Sequence, residues 1–320
     1  MKPHFLKTAI ATALISTAFS ISAFAETRIT YKSAKSTSSY YQMGVQISEA
    51  MKAGSNGDII VTVEESQGST QNVMEVRARG ADYVFTTPPV LVKLAQNGKA
   101  MFKGKTHPAF DEIRALFPIP SLTMHVVVSA KTGVTDFAGL EGKTLLLGKG
   151  SFGAKEGAKY LKLFGLEGKV NLAEVELSNA VPALKNGKID GFVTAGSWPA
   201  PNVVEAAAST DVTVLSLNDE QIAATKRARL TIPAGTYSGQ TSDITTTSLP
   251  VAAFTTTKMD NETAYALTKT FWEGKKTMGT GAAWWNGVDQ GLMSSITGKI
   301  HPGAVKYYKE VGFELTDAQM

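Results

Sequence analysis

Residues 27–32 alternate polar and apolar positions, the period of a half-buried strand. A Ser/Thr-rich loop over 33–39 follows, and residues 40–51 carry the spacing of an amphipathic helix. Residues 54–58 read as a turn and 59–64 as a second strand. Gly68-Ser69 opens another helix, with Ser69 as the predicted N-cap and Gly80 as its end. Residues 83–86 read as a buried strand stopped by Pro88-Pro89. The rhythm persists, with strands predicted at 125–129, 144–147, 171–177, 190–193, 212–217 and 251–255. Helices are predicted at 154–164, 179–185 and 261–273, whereas the Thr/Gly-rich stretch 232–248 has no clear period. Alternating strands and helices imply an α/β fold with a mostly parallel sheet, whose ligands bind beyond the carboxyl ends of the strands.

The first 25 residues do not belong to this pattern. Lys2 and Lys7 precede an apolar, small-residue run over 8–21, and Ala23-Phe24-Ala25 forms a small-x-small cleavage box before Glu26. This is the pattern of an export signal, so residues 1–25 are expected to be removed. The run is shorter than the ~20 residues of a spanning helix, and the mature protein is expected to be soluble. With no lipobox cysteine, the expected location is the periplasm of a Gram-negative bacterium, which weakens any reading that needs ATP or NAD.

Composition then removes whole classes of chemistry. Hydrophobic residues make up 43% and charged residues 19%, as in a globular chain. Loss of the two leader lysines lowers the net charge from +4 to +2, too little for a nucleic-acid binder that must displace counterions. Without cysteine there is no disulfide, thiolate metal site or thiol nucleophile. His4, His107, His125 and His301 sit at no metal-ligand spacing, so neither metal nor cofactor is expected. No Ser-His-Asp set and no pair of loop carboxylates suggests hydrolysis, and the chain reads as a non-enzyme.

Several loops could contact a ligand. Gly148-x-Gly150-x-x-Gly153 lies between a strand and a helix, the place of a dinucleotide fingerprint, with Glu174 as the distant acid. A small-anion contact is the better reading there: backbone N–H groups at a helix start favour negative charge, and Ser151 adds a hydroxyl. A plain structural turn is the alternative. Ser36, Thr37, Ser39 and Tyr40 lie in the first loop, and Ser69 and Asn72 at the next helix start. Thr86, Thr87, Trp198 and Tyr237 complete the candidate set, whereas Trp284-Trp285 reads as core and Arg77 and Arg79 as solvated. None of the candidates is acidic, so an anionic ligand without a required amino group is expected, in preference to an amino acid.

Over nearly the whole mature length, ordered strings resemble the solute-binding subunit of a tripartite ATP-independent periplasmic (TRAP) transporter of the TAXI branch. Ser38-Ser39-Tyr40-Tyr41-Gln42-Met43-Gly44 resembles the family's Thr-Tyr-Tyr-Pro-x-Gly segment, and Gly68-Ser69-Thr70-Gln71-Asn72 its Gly-Ser-x-x-Asn helix start. Gly150-Ser151-Phe152-Gly153, Gly187-Lys188-Ile189-Asp190-Gly191-Phe192 and Ile232-Pro233-Ala234-Gly235-Thr236-Tyr237 keep the family's order. The most specific string runs from His301-Pro302-Gly303 to Glu310-Val311-Gly312. Two departures fall in pocket loops: Ala34-Lys35-Ser36-Thr37 replaces a common Gly-Gly-Thr-Gly, and Thr87-Pro88-Pro89 replaces Gln-Ser-Asp.

The resemblance implies a two-lobe type II periplasmic-binding-protein fold with a hinge. Lobe 1 is expected at 26–131 and 246–320 and lobe 2 at 132–245, with crossings near 129–132 and 246–250. It implies a monomer that captures a small organic solute, a carboxylate or amino-acid-like molecule, and delivers it to the membrane subunits of a TRAP transporter. A periplasmic α/β enzyme acting on a small carboxylate, or a module that binds a partner protein, are the alternatives.

Overall fold

The computed structural model describes residues 26–320, apart from residues 37, 150, 279–281, 283, 286 and 287. The expected export signal, Thr37 and Gly150 thus lie outside the described residues.

The chain opens with β1 (Thr27–Lys32), α1 (Ser39–Gly54) and β2 (Ile59–Glu64), then α2 (Ser69–Glu75) and β3 (Tyr83–Thr87). Tyr40, Met43, Ile47 and Met51 recur along one face of α1 and are buried in one cluster with Ile29, Tyr31 and Val61. Ser38 caps α1, accepting from the Tyr40 N–H. The cap of α2 is Gly68 rather than the predicted Ser69, which is the first helical residue. Gly68 has φ of 109°, a conformation open to glycine at no steric cost.

Pro88-Pro89 does not end structure here. It starts α3 (Pro89–Gln96), because the fixed φ and missing N–H of proline suit the first helical position. Next comes β4 (Ile113–Ser129), of which the sequence pattern predicted only the final third. A second unit follows: β5 (Thr144–Leu146), α4 (Phe152–Leu163), β6 (Asn171–Ala173), α5 (Ala180–Lys185) and β7 (Gly191–Gly196). The chain then forms α6 (Pro201–Ser209), β8 (Val212–Val214), α7 (Asp219–Thr225) and β9 (Ala228–Ile232). β10 (Ile244–Thr256) returns to the first unit, where α8 (Asn261–Met278) and α9 (Pro302–Glu310) pack.

The strands run in the order β2-β1-β3-β10-β4-β7-β5-β6, with β8 added to β4 and β9 to β10. The expectation of a mostly parallel sheet needs correction. β1 pairs in parallel with β2 and β3, and β5 with β6 and β7. Every other pairing is antiparallel, because β4 and β10 join the two parallel blocks side by side. Each block with its helices forms a lobe.

These two strands change partners partway along. Residues 113–119 and 122–123 of β4 pair with β10, and residues 123–128 pair with β7. In β10, residues 244–248 pair with β9 and 252–254 with β3. Pro120 in β4 and Pro250 in β10 sit where the β4–β10 register shifts, between the Leu249–Leu122 and Val251–Ile119 pairs. Proline has no N–H to give a ladder, so it marks the places where ladder pairing lapses.

One charged position also differs from expectation. Arg79 is not solvated: it bridges Glu64 at 2.6 Å and Glu75 at 2.7 Å, with its guanidinium 5.0 Å from the Tyr83 ring centroid. Lys32, buried beside it, reaches Glu64 at 3.2 Å and Glu75 at 3.5 Å. His301 caps α9 with its Nδ1, and Ile300 bridges to Ala115 of β4, which ties the C-terminal helix to lobe 1.

Candidate functional site

The loops that follow β1, β2, β5 and β7 leave the carboxyl ends of their strands and meet in one cleft between the lobes. Lobe 1 contributes Lys35, Ser38, Ser39 and Ser69; lobe 2 contributes Ser151, Thr194 and Asn202. Apolar walls come from Leu122 of β4 and from Leu147, Leu177, Val193 and Ala195 of lobe 2. The interior volume is about 80 Å³, several times the ~10–15 Å³ that one water needs. A small solute is therefore the matching occupant.

Both sides of the cleft touch. The Ser197 N–H of lobe 2 donates to Ser39 Oγ of lobe 1 at 3.0 Å, and a Cβ at Gly196 would come within 2.7 Å of the same oxygen. Ser39 is thus both a cleft residue and an inter-lobe contact. On the lobe 2 side, Ser151 caps α4, accepting from the Ala154 N–H at 2.9 Å and donating to the Gly148 carbonyl at 3.1 Å. Both bonds close the Gly-rich turn on itself at the start of α4.

Of the predicted contact residues, Ser39, Ser69, Ser151 and Gly153 come together in this cleft. The others have local work. Ser36 N–H donates to Glu65 at 3.0 Å on the exposed outer side. Tyr40 is buried, with its hydroxyl on the Pro120 carbonyl at 2.9 Å. Asn72 is fully buried and its amide donates to the carbonyls of Ser33 at 2.7 Å and Thr86 at 2.9 Å, so it ties the β1 and β3 ends together. Thr86 bonds Tyr31, and Thr87 is fully buried in β3. Trp198 packs half-buried against the lobe 2 core. Tyr237 lies beneath the cleft loop: its oxygen accepts from the Ala200 N–H at 3.1 Å and meets His125 Nε2 at 2.9 Å. Thr37 and Gly150 are outside the described residues.

Gly153 has a packing reason to be glycine. A Cβ there would stand 2.8 Å from the Ala195 Cβ, so α4 lies directly against β7. Gly153→Val is expected to cost roughly 1–3 kcal/mol by forcing helix and strand apart. A urea midpoint equal to that of the unaltered protein would show that the helix does not sit this close.

Sequence reasoning missed Lys35, Thr194 and Asn202 as lining residues. Thr194 arrives on β7 and its partner Asn202, 3.0 Å away, on α6, a helix that the sequence pattern does not predict. The signal was present in a Pro at the first helical position, the same one that hid α3.

Among the described residues, the lining includes one cation, Lys35, and no Asp, Glu or His. Among the described residues no cluster of His, Asp and Glu could hold a metal ion, and no helix is long and apolar enough to cross a membrane.

A model of the NMT1-like family matches residues 32–312. Among solved structures, the chain is similar to the periplasmic binding protein BugD at 10% identity and a TM-score of 0.53, covering 90% of this chain and 98% of BugD. A periplasmic transporter structure matches at 9% identity and a TM-score of 0.55, over 89% of this chain and 92% of that one. MatC from Rhodopseudomonas palustris, solved with bound malate, matches at 9% and 0.51, over 84% and 88% respectively. These likenesses show the two-lobe type II fold of periplasmic binding proteins.

Proposed function

The chain belongs to the NMT1-like family and has the fold of periplasmic binding proteins, and from that premise we propose that it captures a small anionic solute between its lobes. The observation that carries this reading is the cleft itself: loops from both lobes line a small interior in which Lys35 is the one charged group among the described lining residues. A solute held there contacts both lobes at once, so it favours the closed arrangement over an open one. The start of α4 adds a favourable field for an anion, roughly 0.3–1 kcal/mol. An ammonium group would want a carboxylate partner that the lining does not offer. An enzyme acting on a small carboxylate would want an acid–base pair in the cleft, and the lining residues supply none.

The hinge of this reading is at residues 119–123 of β4 and 248–251 of β10, where strand pairing passes from one lobe to the other. The setting is the periplasm, reached through cleavage after Ala25. The ordered strings that resemble the TAXI branch support delivery to TRAP membrane subunits, and the malate of MatC makes small carboxylates the first probes.

The test is a thermal-shift screen of the mature chain against small carboxylates, amino acids and osmolytes. A solute at ~100 times its dissociation constant adds ~2.7 kcal/mol, which raises the melting temperature by roughly 4–8 °C at this chain size. No shift with any of them would overturn solute capture and favour a module that binds a partner protein.

A further inference from the structure

Lys35 stands out among the cations of lobe 1. Three positions earlier, Lys32 is neutralised by two carboxylates, Glu64 at 3.2 Å and Glu75 at 3.5 Å. Glu64 and Glu75 also hold Arg79. Lys35 has no ion-pair partner among the described residues, yet it is half-buried and lines the cleft. Its acidic neighbour across the loop, Glu65, is taken by the Ser36 N–H at 3.0 Å.

The backbone on either side of Lys35 is fixed. The Ala34 carbonyl accepts from the Ser66 N–H at 3.1 Å, and the Lys35 carbonyl accepts from the Ser38 N–H at 2.8 Å. Ser38 in turn caps α1. The backbone of the lysine is therefore anchored to the scaffold of lobe 1, and the residue lines the cleft. Lobe 2 lines the same cleft with Leu147, Leu177, Val193 and Ala195 beside the neutral polar groups of Ser151, Thr194 and Asn202, and none of these residues is charged.

One cation from lobe 1 and a neutral, partly aliphatic lining from lobe 2 describe an amphipathic ligand with a single negative end. We infer that Lys35 is the charge anchor of the cleft and selects compact aliphatic monocarboxylates, 2-oxo acids among them, over dicarboxylates and amino acids. A second carboxylate would meet neutral donors but no second cation among the described lining residues, so its desolvation would be offset less fully than that of the first. An aliphatic body gains against the leucines instead, by about 25 cal/mol per Å² removed from water. The inference rests on the solute-capture reading and narrows it.

The experiment is titration calorimetry of the mature chain with 2-oxoisovalerate, butyrate, malate and glutamate, repeated on Lys35→Met and Lys35→Arg. One of the two monocarboxylates is expected to bind the unaltered protein at least about tenfold more tightly than malate or glutamate. Lys35→Met is expected to weaken that binding by about tenfold or more, as for a lost charged hydrogen bond, and Lys35→Arg by far less. The position is half-buried in a loop, so both variants should melt near the unaltered protein without solute, and that melt is the control for folding. Tighter binding of malate or glutamate, or equal binding by Lys35→Met, overturns the role of Lys35 and leaves solute capture standing. Binding of none of the four overturns the monocarboxylate assignment, and only the wider thermal-shift screen then decides whether solute capture falls with it.

Discussion

Acidification from neutral pH to about pH 5 is expected to remove roughly 2 kcal/mol of stability at one buried imidazole, rising to on the order of 3 kcal/mol near pH 4. The group is His125 in β4, just past the point where that strand changes partners. It is buried, and burial pushes its pKa down from 6.5 to about 4, against a weaker opposing contribution from a backbone contact with Thr123. The Ala200 N–H donates to the Tyr237 oxygen, which leaves the phenol proton for His125 Nε2. The neutral ring with its own proton on Nδ1 completes this chain. Protonation puts a donor on each nitrogen and sets two N–H groups, from His125 and Ala200, against one phenol oxygen.

The sign follows from the folded value lying below the unfolded one. The unfolded chain binds the proton first, so the stabilisation is complete above about pH 6.5 and is lost as pH falls toward 4. His301 shifts the same way, through burial, and steepens the loss. Glu64, held below its ordinary value by the hydrogen bond from Arg79, adds its own loss only at lower pH. Urea denaturation at about pH 7.5 and about pH 5 separates these ranges. His125→Gln keeps an acceptor for Tyr237 and should flatten much of the slope. Equal stability at the two pH values would mean that the imidazole is solvated.

The same chain of contacts shows why part of the site was hard to see in the sequence. Tyr237 and Asn72 were singled out as ligand contacts because polar side chains in loops at strand ends often serve that role. Their partners are instead distant in sequence: His125 for Tyr237, and Ser33 and Thr86 for Asn72. A buried polar residue that ties the scaffold and one that faces a ligand look alike until those partners are known. The strands with apolar alternation, β1 and β2, and the amphipathic α1 were legible, because a half-buried face leaves its period in the chain. The start of β10 was not, because its inward positions are threonines. Thr246 donates to the Met124 carbonyl at 2.6 Å, and Thr247 shares a hydrogen bond with Tyr160. A strand that buries hydroxyls against partners reads as polar loop. Lys35 was visible as a departure from the string that the TAXI resemblance implies, but its lack of an ion pair among the described residues needed the structure.

Gly191→Val is expected to destabilise the protein by roughly 3 kcal/mol or more, at or beyond the upper end for an overpacked core. Gly191 opens β7 between two neighbours, pairing with Val128 of β4 and Leu145 of β5. A Cβ there would stand 2.5 Å from the Val127 carbonyl oxygen and 2.9 Å from side-chain atoms of both Leu145 and Val128. The closest of these is backbone and cannot turn aside without opening the β4–β7 ladder. That ladder joins β7 to the strand that crosses between lobes, and β7 carries Thr194, Ala195 and Gly196 into the cleft. Solute affinity should therefore fall along with stability. Gly165→Ala supplies the contrast: its φ is 72° but nothing lies within 4 Å of its Cβ position, so strain alone costs about 1 kcal/mol. Urea midpoints of the two variants distinguish crowding from backbone strain. A Gly191→Val protein as stable as the unaltered one would mean that β7 does not run in this register beside β4, and the placement of the lobe 2 side of the cleft would fall with it.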